Sequence, residues 1–176
     1  MSTDPDLFEA TFNACWEAVA RYAARRVAPE AVQDVVSETF LVAWRRFGEL
    51  RGEPLPWLLG IARRVASNQR RSCARRMALL ERLHGEVPPT GSSELVEGDH
   101  QLAAALALLR ERDREALLLV AWDGLDHHDA AVVMGCSAGA FTVRVHRARH
   151  RLARLLEHDE RAAIDIPRHA RSFNEA

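Results

Sequence analysis

Apolar residues recur at intervals of three and four along nearly the whole chain, which is the period of an amphipathic α-helix. No stretch alternates strictly between apolar and polar residues, as a half-buried strand does. Asp4 and Pro5 supply a capping side chain and a first-turn proline for the first predicted helix. Its apolar stripe consists of Phe8, Phe12, Cys15, Trp16 and Val19. The pattern predicts an all-α protein.

Two more helices complete a first predicted domain, residues 1–83. The second runs over residues 29–47 and ends at Gly48. Its inward residues are Val32, Val35, Val36, Phe40 and Ala43. The third follows Pro54 and Pro56, and its buried residues are Trp57, Leu58, Ile61, Ala62 and Val65.

Residues 84–99 combine proline, glycine and serine with acids and no arginine, which predicts a flexible acidic linker. A second small helical domain, residues 100–156, follows it. Leu102, Leu106 and Leu109 mark one helix of that domain, and Leu117, Leu118 and Ala121 mark the next. Asp126 caps a short helix ending at Met134, and Ser137 caps the last helix, which extends to about Leu156. The tail, residues 157–176, is assigned no role.

The last two predicted helices flank a tight turn at Gly135. On a helical wheel, Phe141, Val145, Ala148 and Leu152 face the core. The opposite side presents Gly139, Val143, His146, Arg147, His150 and Arg154. A short helix, a glycine turn and a basic second helix indicate a helix-turn-helix, which places the start of its second helix in the major groove of DNA. The alternative is a helical hairpin whose arginines are only a solvated face.

Charge is unevenly distributed, although the formal net charge is only -1. The chain contains no lysine, and its arginines cluster at residues 63–76, with six arginines and no acid, and at residues 144–156, with five. Clustered arginines repel one another unless an anion balances them, which phosphates do while releasing counterions. The proline-rich loop at residues 51–57 ends in Trp57, and an aromatic residue beside a basic helix suits single-stranded nucleic acid. By its helical position, Trp57 also fits the core.

Neither a metal centre nor a catalytic site is indicated. Cys15, Cys73 and Cys136 lie far apart, so we expect reduced thiols and no disulfide or zinc site. His146 and His150 have metal-ligand spacing, but arginines surround them and no acid accompanies them. His127, His128 and Asp129 read as surface residues rather than a catalytic cluster. With no cofactor motif and no apolar stretch of membrane-spanning length, a cytoplasmic protein is expected.

Three segments resemble one family in the same order. The segment at residues 123–152, "DGLDHHDAAVVMGCSAGAFTVRVHRARHRL", resembles the C-terminal helix-turn-helix of bacterial sigma factors of the extracytoplasmic-function group. "PEAVQDVVSETFLVAWRRF", residues 29–47, is similar to that group's polymerase-binding helix. "PWLLGIARRVASNQRR", residues 56–71, is similar to its promoter-melting segment. The resemblance implies a dissociable subunit that binds the RNA polymerase core and directs it to a set of promoters.

The resemblance also implies roles for particular residues. The residues expected to contact the polymerase core are Gln33, Asp34, Ser37, Glu38 and Thr39. The residues expected to bind the melted downstream promoter element, including one flipped base, are Arg51, Gly52, Glu53, Trp57, Arg64, Asn68, Arg70 and Arg71. The residues expected to bind the duplex upstream element are Thr142, Val143, Arg144, His146, Arg147 and Arg149. An anti-sigma partner is compatible with the resemblance, and insertion into a membrane is not expected.

Two departures from the family pattern affect these roles. Thr142 and Val143 stand where the group commonly has a basic residue followed by serine, so thymine methyl contacts gain weight over hydrogen bonds to base edges. The loop between Gly52 and Trp57 is shorter than usual in the group.

Two other classes of protein remain open. One is a dimeric repressor or activator that binds duplex DNA without polymerase. The other is a helical adaptor or enzyme, although no pocket of coupled titratable groups is evident.

Overall fold

The computed structural model describes residues 4–84 and 97–164, with side chains at 4–78 and 101–157. Helices in the first half are α1 (Pro5–Ala24), α2 (Val32–Arg46) and α3 (Pro54–His84), and short 3₁₀ turns at Pro29–Ala31 and Phe47–Glu49 flank α2. Helices in the second half are α4 (Glu97–Leu108), α5 (Glu111–Ala121), α6 (His127–Met134) and α7 (Ala138–Ile164). No strand occurs in these ranges. The predicted all-α class, with two helical halves and a helix-turn-helix in the second, is confirmed.

Two predicted boundaries need correction. The last helix does not end near Leu156 but continues to Ile164, into the segment predicted as a tail. Helix α3 includes His84 and α4 begins at Glu97, so the ends of the predicted linker are helical. The remaining linker positions, 85–96, and the tail positions 165–176 lie outside the described residues.

The core of the first half follows the predicted apolar faces. Val19, Val35 and Leu58 are almost fully buried between the three helices. Phe8 packs edge-on against Phe47, with ring centroids 5.3 Å apart. The prediction is wrong for Trp16, which is 41% exposed although it lies at a helical spacing from the core residues. Its neighbour in the stripe, Cys15, occupies the buried face instead.

The two halves pack against each other, and α3 meets α6 at a close approach. A Cβ at Gly60 would lie 3.8 Å from the Cα atom of Val133. The absence of a side chain at this position brings the two backbones near one another. Buried apolar residues of both halves consequently form one continuous cluster.

Candidate nucleic-acid interface

The helix-turn-helix is built from local capping interactions. The carboxylate of Asp126 accepts a 2.8 Å hydrogen bond from the backbone N–H of Asp129 at the start of α6, and this bond lowers the pKa of Asp126. At the end of α6, Gly135 is left-handed with φ +65°. Ser137 then accepts a 3.3 Å hydrogen bond from the N–H of Ala140 at the start of α7. Both predicted caps are confirmed, and they fix the angle at which α7 leaves the turn.

We expect replacement of Gly135 by alanine to destabilise the second half by about 1–2 kcal/mol, because an L-residue is disfavoured in the left-handed region. No atom lies within 4 Å of the added methyl group, so the cost arises from the backbone conformation alone. Gly139, in α7, is the matched control, because alanine there also meets open space but adopts a helical conformation. The Gly139→Ala variant should gain about 0.5–1 kcal/mol in free energy of unfolding. Urea unfolding followed by circular dichroism measures both, and equal effects would contradict the argument.

The exposed face of α7 agrees with the predicted wheel. Phe141, Val145 and Ala148 are buried against the other helices of the second half. The residues predicted for the upstream element that are exposed on α7 are Thr142, Val143, His146, Arg147 and Arg149. Because their helix is anchored by its apolar side, these side chains project together from one rigid surface.

Thr142 is less free to contact a base than its exposure suggests. Its hydroxyl donates a 2.9 Å hydrogen bond to the carbonyl oxygen of Ala138. The hydroxyl oxygen of Thr142 also lies 2.9 Å from Nδ1 of His127, whose ring packs edge-on against Phe141. His127, predicted as a surface residue, therefore orients Thr142 and leaves its methyl group as the freer part. This arrangement favours apolar readout at the position.

Arg144 is not where the sequence placed it. Its guanidinium forms an ion pair with the buried Asp113 of α5, at 3.4 Å, and only 31% of its side chain is exposed. Arg151 pairs with the same carboxylate. The wheel puts Arg144 at the border between the two faces of α7, where a buried acid on α5 draws it inward. In this structure the Arg144 guanidinium thus helps to hold α5 and α7 together.

A cavity of about 470 Å³ lies between the start of α5 and the exposed face of α7. Arg110 and Arg112 line it together with Arg147 and Arg151. Arg110 and Arg112 are not among the residues predicted from the sequence, because they lie outside both arginine clusters. Only folding brings them beside α7, where they add positive charge next to the exposed face that carries Val143, His146 and Arg147.

The downstream candidates lie on α3 and the loop before it. Arg64, Asn68 and Arg71 are exposed, and Arg71 donates a 2.8 Å hydrogen bond to the Asn68 side chain. The loop holds Gly52 at φ +77°, and the Arg51 guanidinium donates to the carbonyl oxygens of Gly48 and Leu50. Glu53 is exposed and Trp57 is half-buried. Trp57 packs against Phe47, at 6.5 Å between ring centroids, so it is in part a core residue, as its helical position indicates.

Four of the five predicted polymerase-binding residues share the exposed face of α2: Gln33, Asp34, Ser37 and Glu38. Thr39 is the exception, since its side chain is fully buried and its hydroxyl donates a 2.6 Å hydrogen bond to the carbonyl oxygen of Val35. A threonine can satisfy its hydroxyl within its own helix, and Thr39 does so as part of the core. Leu41, 52% exposed on the same helix, is an apolar candidate for the same surface that the sequence did not predict.

Within the described residues, no three potential ligands cluster as a metal site requires. His146 and His150 do approach each other, with their Nε2 atoms 3.3 Å apart, but no third ligand joins them. None of the described helices combines the length and hydropathy needed to cross a bilayer.

A helix-turn-helix with an exposed basic recognition face, joined to a second basic helix, defines a DNA-binding protein. The model for sigma-70 region 2 matches residues 11–76, and that for sigma-70 region 4 matches residues 99–152. The ECF RNA polymerase sigma factor EcfG of Rhodopseudomonas palustris is 34% identical over 133 residues, 72% of each chain. SigC of Mycobacterium tuberculosis, also an ECF sigma factor, is 34% identical over 163 residues, covering 86% of this chain and 84% of SigC.

Two solved structures share the fold. RpoE of Bartonella quintana, solved with the anti-sigma factor NepR, superposes with a TM-score of 0.63 at 26% identity, covering 85% of this chain and 96% of RpoE. CnrH, solved with the cytosolic domain of CnrY, gives 0.61 at 25% identity, covering 90% and 92%. The chain belongs to the extracytoplasmic-function group of sigma-70 factors. It binds the RNA polymerase core and promoter DNA and directs transcription initiation at specific promoters.

Proposed function

We propose a division of labour in which the first half, residues 1–83, binds the polymerase core and the melted downstream element, and residues 100–156 read the duplex upstream element. The observation that carries the proposal is the exposed face of α7, which projects from a helix-turn-helix fixed by two caps and a buried apolar side. Residues 84–99 connect the two activities. The factor acts in the cytoplasm, where polymerase and promoters are, and the chemistry of initiation belongs to the polymerase.

For the upstream element, Val143, His146 and Arg147 contact bases in the major groove. Their exposure and their position in the first turns of α7 support this assignment. Arg149 contacts phosphate, and Thr142 presents its methyl group because its hydroxyl is already bonded. Arg110 and Arg112 take the place first expected for Arg144, since they line the cavity beside the same face. Phosphate contacts of this kind fix the register of the protein on the duplex.

For the downstream element, Arg64, Asn68, Arg70 and Arg71 contact the unpaired strand. The hydrogen bond that Arg71 donates to the Asn68 side chain supports the assignment, because it holds both side chains in a fixed arrangement before DNA arrives. The loop containing Arg51, Gly52 and Glu53, together with the exposed part of Trp57, receives the flipped base.

For the polymerase core, the contact surface is the exposed side of α2. Asp34 and Glu38 give this surface a negative charge, and Leu41 adds an apolar centre. Gln33 and Ser37 lie within 3.5 Å of each other on the same face. An apolar residue surrounded by polar groups is typical of a protein interface. An anti-sigma protein is a further partner that we propose, because RpoE was solved in complex with one.

Reversing one charge on α2 tests the polymerase surface. A polymerase surface complementary to Asp34 and Glu38 is positively charged. We therefore expect Glu38→Arg to weaken binding to the core by about tenfold or more, because like charges across an interface cost up to several kcal/mol. Titration of labelled core with each variant measures the affinity. Glu9→Arg is the control, since it makes the same charge change at an exposed position of α1. A Glu38 variant that binds core as tightly as the Glu9 variant would contradict the assignment of α2.

In vitro transcription tests the proposed function as a whole. Purified core polymerase is combined with fragmented genomic DNA from the source organism, with and without the protein, and transcript starts are mapped. We expect new starts that share two sequence motifs at a constant spacing. A folded protein, free of inhibitor, that produces no new starts would contradict the proposal and favour a duplex-binding regulator.

A further inference from the structure

The hydroxyl group of Thr142, on the exposed face of α7, is held from two sides. It donates a 2.9 Å hydrogen bond to the carbonyl oxygen of Ala138, one turn earlier in the same helix. Its oxygen also lies 2.9 Å from Nδ1 of His127, the first residue of α6. This second contact crosses the turn of the helix-turn-helix. A residue of the helix before the turn therefore fixes a side chain of the helix proposed to enter the major groove.

The positions of the protons in this pair follow from the geometry. A threonine hydroxyl carries a single proton, and the bond to Ala138 uses it. The Thr142 oxygen consequently accepts from His127, which assigns the proton of the neutral ring to Nδ1. A second proton at Nε2 leaves the Nδ1 donor in place. The contact therefore exists in both charge states of His127.

The ring of His127 is itself held in this orientation. It packs edge-on against the fully buried Phe141, at 5.6 Å between ring centroids. Asp126 caps α6 through the N–H of Asp129, which fixes the backbone of the first turn, where His127 lies. His127 is half-buried, whereas Thr142 is exposed. The contact is thus anchored on the core side of the helix-turn-helix and acts on a side chain that faces solvent.

The bond from His127 decides between two conformations of Thr142. A threonine in a helix divides its population between two χ1 rotamers, so by itself it can turn either its hydroxyl or its methyl group toward a ligand. The hydroxyl can bond a base edge, whereas the methyl group can contact only an apolar group such as the thymine methyl. The rotamer in the structure satisfies both Ala138 and His127. The methyl group is then the part of Thr142 that has no hydrogen bond to make.

We propose that His127 is a positioning residue that determines sequence specificity. It holds Thr142 in the orientation that selects a thymine in the upstream element, and it does so without contacting that base. The inference rests on the proposed function of α7 as the helix that reads the upstream duplex. It extends the determinants of specificity to α6, outside the helix whose side chains meet the bases.

Substituting His127 in the complete holoenzyme tests the proposal. Promoters randomised in the upstream element are transcribed by core polymerase with each variant at limiting holoenzyme, and the enriched sequences give the base preferences. With the wild type, we expect a thymine whose replacement by deoxyuridine lowers transcription by about fourfold, the contribution of one buried methyl group. Thr142→Ser, which lacks the methyl group, identifies the position by abolishing this effect there. His127→Phe keeps an aromatic ring beside Phe141 but removes the donor, so the preference and the deoxyuridine effect should both disappear.

Three further variants separate positioning from other roles of the side chain. His127→Asn restores an N–H donor near the position of Nδ1, so the preference for thymine should return. Thr142→Val presents a methyl group in either orientation, and in this background His127→Phe should change no preference. His128→Phe makes the same substitution at the exposed neighbouring position and should behave as the wild type. Urea unfolding of each variant verifies that a lost preference does not reflect an unfolded second half.

The inference is overturned if His127→Phe retains the preference for thymine, or if the wild type shows no deoxyuridine effect that Thr142→Ser removes. It is also overturned if His127→Phe shifts the preference equally in the Thr142→Val background, because His127 would then act independently of Thr142. Failure of the proposed function is a different result, since it would appear as an absence of transcripts from every promoter in the library with the wild-type protein.

Discussion

Replacing Arg147 by alanine is expected to lower transcription from promoters of this factor by about one to two orders of magnitude, while binding to the polymerase core stays unchanged. Arg147 is exposed on the recognition face of α7 and also lines the cavity beside α5. A good side-chain contact to a base edge discriminates by about 1–3 kcal/mol. The core-binding surface lies on α2, in the other half, so its affinity should not respond. Transcription from a mapped promoter and titration of core measure the two effects separately.

Arg154→Ala is the matched control for this prediction. Arg154 is exposed on the same helix but lies two turns beyond Arg147, past the segment that enters the groove in a helix-turn-helix. Its loss should weaken binding to all sequences modestly and reduce the dependence of binding on salt. If Arg147→Ala leaves promoter selection intact, or matches Arg154→Ala, base recognition must come from other residues of α7.

Helical periodicity predicted which faces of the helices are buried, because the burial of an amphipathic helix depends on local spacing. It placed Phe141, Val145 and Ala148 inside and Val143 and Arg147 outside, as the structure has them. The two caps of the helix-turn-helix were equally predictable, since a cap involves residues three positions apart. Most of what is local in the sequence was therefore accessible without the structure, and Trp16, 41% exposed, is the exception.

Interactions between distant residues were not accessible in this way. Arg26 and Glu115 are 89 positions apart, and neither lies in a recognisable motif. Their ion pair requires that the end of α1 lie against α5, which no spacing rule specifies. Arg144 was misplaced for the same reason, because its partner Asp113 lies on another helix. Thr39 was misplaced because the family resemblance identifies the helix without showing which of its polar side chains turn inward.

Phe141→Ala should produce the largest loss of stability in the second half, about 3–5 kcal/mol. The ring of Phe141 is fully buried, one turn into α7, and it packs against His127 of α6 with centroids 5.6 Å apart. Removing it leaves a cavity at the point where the two helices of the helix-turn-helix meet. Urea unfolding followed by circular dichroism measures the loss, and transcription from an upstream-dependent promoter should fall with it.

Val143→Ala is the informative comparison, because Val143 is two residues away on the same helix but 50% exposed. Its loss should change stability by less than about 0.5 kcal/mol, as is usual for surface positions. Its proposed contact is with a thymine methyl group, so the variant should alter which upstream sequences are preferred while remaining folded. Equal destabilisation by both substitutions would contradict the orientation of α7. A folded Val143 variant with unchanged sequence preference would instead assign base recognition to His146 and Arg147.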